Sequence, residues 1–475
     1  MISCAIKRDK FFKLFFQKSN YAQVPGSRDR AFPRIQKLMN SEKTDKLDGG
    51  NMGSELRYEL EDVPKLRDLI SISVQWLLVI APILIIGGRI VAEMHYADAM
   101  EKTAYIQKVF FVSGLTLIAQ LLIGHRLPIV LGPPAVLIVG IYATLESGLG
   151  TVYSSIAVCG IILSVFALSG KINSLQKLFT DNVITALLLL IAFSLIPLIL
   201  EMLVSNKNAL FNVFFAIFLV LVLFGVGRKM KSVWDSMILL ALVFGSFAYL
   251  AIFPQDFNTE MPRFEFMFFS PSFEFSLRFD VLLVFLLCYL ALAVNDISSI
   301  YSTGKIIKAE NMEKRVKKGV SITGLSSLLS GLLGVIGTVN YTLSPGIIHT
   351  TKSSSRLALI PTGFALIVIA FIPSIIFVFS VIPKAVIASV FLLVLCSQIA
   401  IALTRIRIDD EESGFVIGFP ILITVVISFL PPQIFENVPY AMKAFLGNSF
   451  LIGILLVLFL EHVIFKRGSL QSQKR

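Results

Sequence analysis

The chain has 475 residues, of which 56% are hydrophobic and 15% charged, and its formal net charge is +11. Soluble proteins are about 45–50% apolar and about 25% charged, so this composition excludes a soluble domain and predicts a polytopic membrane protein. The basic residues lie in short loops and near the N-terminus rather than in a patch with interleaved aromatics, which excludes a nucleic-acid-binding protein. The four cysteines have neither metal-site nor disulfide spacing.

Residues 1–57 are mixed and basic, and we expect a disordered cytoplasmic tail there. Apolar segments near the ~20 residues of a spanning helix follow from about residue 70. The fourteen predicted spans fall at about 70–90, 106–123, 129–145, 150–169, 182–202, 209–227, 234–253, 279–301, 319–337, 344–355, 357–381, 384–403, 413–430 and 445–465. Residues 58–465 are thus the predicted membrane domain, and 466–475 a second cytoplasmic tail.

The basic residues of the loops orient these spans. With the N-terminus inside, the loops predicted to be cytoplasmic carry most of the basic residues, including His125-Arg126 and six from Lys305 to Lys318, and the outer loops are poorer. Because each missed span would invert every later loop, this alternation favours an all-α protein in the cell membrane with both termini cytoplasmic.

Two polar, proline-containing breaks interrupt the apolar pattern, at Gly132–Ala135 in span 3 and at Asn340–Gly346 in span 10. A backbone opened inside a bilayer survives only within protein or beside a cavity. Fourteen spans divide into two inverted repeats of seven, in which spans 3 and 10 are equivalent. Matched interruptions predict an inverted-repeat transporter, with short extended pieces in the broken spans and a substrate site at the midplane.

Each break is expected to start a half-helix. Pro345 would stand in a first turn, where its missing N–H loses no bond, and the helix N-termini would present free N–H groups to a substrate. Such ends suit an anionic or hydrogen-bond-accepting substrate. The candidate binding residues at the breaks are Ser344, Pro345, Gly346, Pro134 and Ala135. The alternative is that proline and glycine only kink these spans.

Asp296, in span 8, is the one carboxylate away from the ends of an apolar run. A charge there costs at least ~2.5–3.5 kcal/mol and is expected to face a cavity or a partner. We interpret Asp296 as the coupling residue for a proton or another ion, or as a shifted substrate ligand; the alternative is a carboxylate that pairs with another polar group and locks the core. Asn295 and Ser299 share one helical face and are candidate substrate ligands. Gln75 in span 1 is a further candidate, and Arg356 is expected to snorkel.

Several motifs, in chain order, resemble the nucleobase/ascorbate transporter family, the xanthine and uracil permeases. They cover roughly residues 58–465 and are Tyr58–Pro64, Gln75-Trp76, Phe111–Gly114, Arg126–Gly132, Asn182–Thr185 with Phe193–Pro197, Gly337–Thr342 and Leu446–Ser449. The resemblance implies a homodimer of fourteen-span chains, with a core domain at about 70–170 and 279–381 and a gate domain at about 171–278 and 382–465. It implies that a nucleobase moves with a proton by elevator-type motion of core against gate, from a site between spans 3, 8 and 10.

The chain departs from the family at three polar positions. The family's base-binding carboxylate in span 8 aligns with Asn295, and its polar partner aligns with Ser299. The carboxylate of this chain, Asp296, lies one residue after the family's position. The acidic or amide residues of span 10 align with Pro345 and Gly346, and Trp76 stands where the family has histidine.

The sequence thus predicts a secondary active transporter of uracil, xanthine or another purine, and no enzyme. No nucleotide-binding or hydrolytic motif is present, and no cofactor is expected. A transporter of the same fold for a small organic or inorganic anion is one alternative. A membrane receptor that binds without transporting is another.

Overall fold

The computed structural model describes residues 56–465, except for 171–177, 179, 205–207, 230–236, 255–273, 342–343, 381, 406–410, 431–433 and 435–448. The tails predicted at 1–57 and 466–475 lie outside the described residues, apart from Leu56 and Arg57. The described part is almost entirely helical.

In the first half of the chain, six regular elements precede the predicted gate, and the described part of the gate contains four more. In order they are α1 Leu66–His95, α2 Ala99–Leu122, β1 Leu131–Gly132, α3 Ala135–Ala143, a 3-10 turn Leu145–Ser147, α4 Leu149–Leu168, α5 Asp181–Ser194, α6 Ile196–Val204, α7 Ala209–Lys229 and α8 Met237–Ile252.

The second half repeats the alternation of long and broken helices. Its elements are α9 Phe279–Ile306, α10 Met312–Leu333, β2 Val339–Asn340, α11 Ser344–Thr351, a 3-10 turn Leu357–Leu359, α12 Ile360–Ala370, α13 Pro373–Ser380, α14 Lys384–Arg405, α15 Glu411–Ser428, α16 Ser449–Phe459 and a π-helical turn Leu460–Ile464.

A helix or half-helix lies in each of the fourteen predicted segments. Within the described residues, eight helices are long and apolar enough to cross a membrane, or nine if α12 and α13, which are bent by 89° at their junction, form one span. The broken spans cannot meet such a length criterion because each is split into a strand and a half-helix. The mostly helical membrane protein is therefore confirmed, and the count of fourteen stays a prediction.

Helices α4 and α10 pack backbone to backbone through glycine. A Cβ added at Gly160 would lie 2.6 Å from the carbonyl oxygen of Gly324, and one at Gly331 would lie 2.5 Å from that of Tyr153. Small residues allow such close approach between helices in a membrane, where dispersion and not the hydrophobic effect drives packing. This contact holds α10 firmly in place, and α10 carries one of the residues that bind Asp296.

The segment before α1, residues 56–64, lies along the stretch that follows α11. Ser354 N donates to Tyr58 O at 3.0 Å, and Arg356 N donates to Leu60 O at 3.0 Å. The Arg356 guanidinium binds both oxygens of Glu61 and donates to Leu121 O at 2.8 Å. Arg356 was expected to snorkel to the membrane surface. It is instead buried, because these acceptors hold it inside the protein.

The Glu61–Arg356 pair is expected to add stability in a pH-dependent way. The hydrogen bond from Arg356 lowers the pKa of Glu61, so its contribution is present at pH 7 and is lost as the pH falls through that lowered pKa. Glu61→Gln should lower the apparent melting temperature of the purified protein by roughly 1–3 °C at pH 7. The difference from wild type should vanish in acid. Glu59→Gln is the matched control, since Glu59 is exposed like Glu61 but has no ion-pair partner within 4.0 Å among the described residues; an equal loss there would contradict the assignment.

Candidate functional site

The two chain breaks pair with each other. Strands β1 and β2 are antiparallel, with Leu131 opposite Asn340 and Gly132 opposite Val339. The pairing continues one residue further, where Tyr341 N donates to Val130 O at 2.7 Å. The half-helices α3 and α11 begin within four residues of the strands. The backbone groups released by opening two spans thus satisfy one another, as a bilayer interior requires.

Side chains at the breaks tighten this pairing. The Ser344 hydroxyl accepts from Val130 N at 2.9 Å and donates to Tyr341 O at 3.1 Å. The Tyr341 hydroxyl donates to Pro133 O at 2.5 Å, across the breaks. Gly132 has to be glycine here, because a Cβ would lie 2.9 Å from the Tyr341 ring. Pro345 is the second residue of α11, as predicted, where its missing N–H loses no bond.

Asp296 ties α9 to β2, the strand in the second break. Its Oδ1 accepts from Asn340 N at 3.0 Å and from Asn340 Nδ2 at 2.7 Å, and its Oδ2 accepts from the Thr323 hydroxyl at 2.8 Å. The side chain is fully buried. Within the described ranges, no basic group lies within 4.0 Å of the carboxylate. Among the described residues, the carboxylate is therefore held by neutral donors alone.

The hydrogen bonds continue from Asp296 towards the loop between α2 and β1. Asn340 Oδ1 lies 3.2 Å from His125 Nε2, and the Gln120 amide donates to the Thr323 hydroxyl at 3.1 Å. In the sequence, His125 stands out only as a basic loop residue, and nothing marks Thr323. Asn340 was placed in the break without a role. The position of Asn340 in the family-like motif Gly337–Thr342 was the one feature of the sequence that could have indicated its role.

The other predicted binding residues are placed as follows. Asn295 precedes Asp296 and is exposed, whereas Ser299 is buried and its hydroxyl donates to Asn295 O at 2.9 Å. Pro134 is buried at the start of α3, and Ala135 and Pro345 are half-buried.

Gly346 lies in α11. Gln75 is exposed on α1, and its amide donates to Ser71 O and Oγ, both at 3.2 Å, within its own helix rather than across to another span.

A separate charged cluster joins α1, α2 and α14. Glu93 accepts from Arg89 Nη2 at 2.5 Å, from Lys102 Nζ at 3.0 Å and from Lys384 Nζ at 3.1 Å. The side chains of Glu93, Arg89 and Lys102 are at most 10% exposed. Three cations on one carboxylate thus connect α1 and α2, from the predicted core, with α14, from the predicted gate.

Paired broken helices with polar groups at their junction, in an apolar helical chain, define a membrane transporter fold. The membrane domain of a cyanobacterium bicarbonate transporter, BicA, matches with a TM-score of 0.56 at 15% identity, over 78% of this chain and 97% of that chain. SLC26A9 matches with a TM-score of 0.55 at 12% identity, over 85% and 66%. At such identities the likeness concerns the fold alone.

The sequence comparison identifies the family. The model of the xanthine/uracil permeases, described as the Permease family, matches residues 67–433, and the chain belongs to this family. The putative purine permease YwdJ of Bacillus subtilis is 28% identical, over 81% of this chain and 93% of that protein. The uric acid permease PucJ of Bacillus subtilis is 23% identical, over 71% and 79%. The resemblance seen in the sequence is thereby confirmed, and these homologues are permeases rather than enzymes.

Proposed function

We propose that this chain is a secondary active transporter of a purine or a related nucleobase, acting as a homodimer in the cell membrane with both termini cytoplasmic. Family membership supports this proposal, and the paired breaks beside an exposed Asn295 are the structural observation that carries it. The relatives with the longest matches are named for purines and for uric acid. The carrier would be driven by an ion gradient and not by nucleotide hydrolysis.

Asn295 is the residue we propose to contact the base. Its neighbour Asp296 binds Asn340 in β2, so Asn295 stands at the depth of both breaks, and its side chain is exposed there. A carboxamide offers two donors and one acceptor, which complement the ring nitrogens and carbonyl oxygens of an oxidised purine. The N-terminal ends of α3 and α11 would add partial positive charge towards the carbonyl oxygens or an anionic form of the base.

Uptake of labelled urate, xanthine, adenine, guanine and uracil into reconstituted vesicles tests the substrate class. In the same assay, Asn295→Ala should raise the KM of the transported base roughly tenfold through loss of one hydrogen bond, with the melting temperature unchanged. Asn208→Ala is the matched control, since Asn208 lies in the turn before α7. Uptake of a small anion, with no uptake of any of these bases, would favour the anion carrier. Tight base binding without accumulation would favour the receptor.

We propose that Asp296 carries the coupled proton. Burial favours the protonated, neutral form of a carboxylate that has no cationic partner among the described residues. Thr323 can accommodate both states, because a hydroxyl both donates and accepts. It donates to the carboxylate now, and it can accept from a protonated Asp296 while turning its own proton to Gly319 O one turn back. The protonation change would then be absorbed without moving β2.

Replacing the carboxylate separates coupling from binding. Asp296→Asn keeps an acceptor for Asn340 and should abolish proton-driven accumulation while counterflow exchange of labelled base continues. Thr323→Val, which removes the switching hydroxyl, should lower accumulation at least tenfold by the loss of one charge-assisted bond. Uptake against a pH gradient and exchange at equal pH are the two measurements. Normal accumulation in Asp296→Asn would leave Asp296 as a structural lock.

We further propose that the core moves against the gate in an elevator-type motion. The Lys384–Glu93 pair supports a defined contact between these two bodies, since α14 belongs to the predicted gate and α1 to the predicted core. A motion of one body past the other has to break this pair.

A disulfide between Glu93→Cys and Lys384→Cys should therefore stop exchange, and reduction should restore it. A cysteine pair at Glu93 and Lys102 is the control: its disulfide should leave exchange unchanged, because α1 and α2 both belong to the predicted core and should not separate. Undiminished exchange in the oxidised first pair would contradict an elevator motion at this contact. Formation of each disulfide is checked by thiol labelling.

A further inference from the structure

His125 occupies a rigid pocket between the end of α2, α10 and β2. It is fully buried. Its carbonyl oxygen accepts from Arg315 Nη1 at 2.9 Å, and its backbone N–H donates to Gln120 Oε1 at 3.4 Å. Gly319 provides the space for the ring, since a Cβ there would lie 3.0 Å from His125 Cβ. Neither the ring nor its backbone is free to rotate away.

The contacts of the imidazole identify its tautomer. Leu127 N–H donates to His125 Nδ1 at 3.0 Å, so Nδ1 carries a lone pair. The proton of the neutral ring is therefore on Nε2, which lies 3.2 Å from Asn340 Oδ1 and donates to it. With its oxygen engaged by the imidazole, the Asn340 amide can present only its nitrogen to Asp296. The direction of every bond from Leu127 to Asp296 is thus determined.

The charged imidazolium does not fit this pocket. Nδ1 would then carry a proton and face the Leu127 N–H, and both groups are donors. The charged groups around the ring are Arg315 on α10 and Arg126 in the same loop, with Glu61 bound to Arg356 beyond them. Burial, reinforced by Arg315, lowers the pKa of His125 to about 3. His125 thus remains neutral across the physiological pH range.

We propose that His125 is a positioning residue: its neutral, Nε2-protonated ring orients the Asn340 amide and thereby sets the hydrogen bonding of the coupling carboxylate, Asp296. This inference rests on the proposed proton coupling. Without the His125 donor, the Asn340 amide is free to turn its oxygen towards Asp296. An oxygen there repels the charged carboxylate and accepts from the protonated one, so the proton is held more tightly.

The pH profile of uptake tests this role, because a merely structural role would not move it. His125→Phe keeps the ring but removes the donor, and should shift the pH midpoint of proton-driven uptake upward by roughly one unit, the effect of one lost hydrogen bond. His125→Gln places an amide donor near the position of Nε2 and should restore the wild-type midpoint. His462→Phe is the matched control, since His462 contacts the backbone oxygen of Leu178 and should leave the midpoint unchanged.

A wild-type midpoint in His125→Phe, or a midpoint in His125→Gln that stays shifted, would overturn the proposal. A second measurement needs no transport and applies even where the phenylalanine variant does not fold. In protein labelled with 15N-histidine, the His125 signals are identified as those that disappear in the His125→Gln variant. In the wild type, these signals should be those of a neutral ring protonated at Nε2, and they should not change between pH 8 and pH 5. A ring protonated at Nδ1, or at both nitrogens, would refute it. Should no base be transported while this tautomer is found, the proposed function fails and the positioning geometry stands.

Discussion

A backbone that leaves its helix inside a bilayer has to find hydrogen-bond partners within the protein. Here each of the two opened spans provides the partner for the other, through β1 and β2. All other features of the site depend on this pairing. It places the N-termini of α3 and α11 beside one strand pair and brings Asn340 against α9. There Asp296 accepts hydrogen bonds from both the backbone N–H and the side-chain amide of Asn340.

The two breaks were predictable because proline and glycine interrupt a helix in ways that depend on local chemistry alone. The family was predictable from short motifs in order. The count of spans was not testable by helix length, since a broken span is divided between a strand and a short helix. Asp296 was found for a similar reason: a carboxylate in an apolar run is conspicuous whatever surrounds it.

The partners of Asp296 could not be predicted. Asn340 lies 44 residues from Asp296 and 215 residues from His125, and contacts over such distances leave no trace in local periodicity. The charge of His125 was misjudged for the same reason. In sequence, a histidine next to an arginine in a loop indicates a basic surface. In the structure, the Leu127 N–H and the close approach of Gly319 exclude the charged form. Arg356 shows the converse, because the expected surface cation is buried by acceptors from two distant segments.

The uneven charge around Glu93 has a consequence for the proposed motion of core against gate. An ion pair with one partner on each body would leave an uncompensated buried carboxylate whenever the bodies part, and such a charge is costly. Glu93 has two further cations, Arg89 and Lys102, on its own side of the boundary. Lys384, the partner that would depart in the proposed motion, is also the most exposed of the three cations, at 39%, and its ammonium group could be rehydrated as it left. The Lys384–Glu93 ion pair would thus form a specific contact between core and gate and would cost little free energy to break, so it could form and break repeatedly.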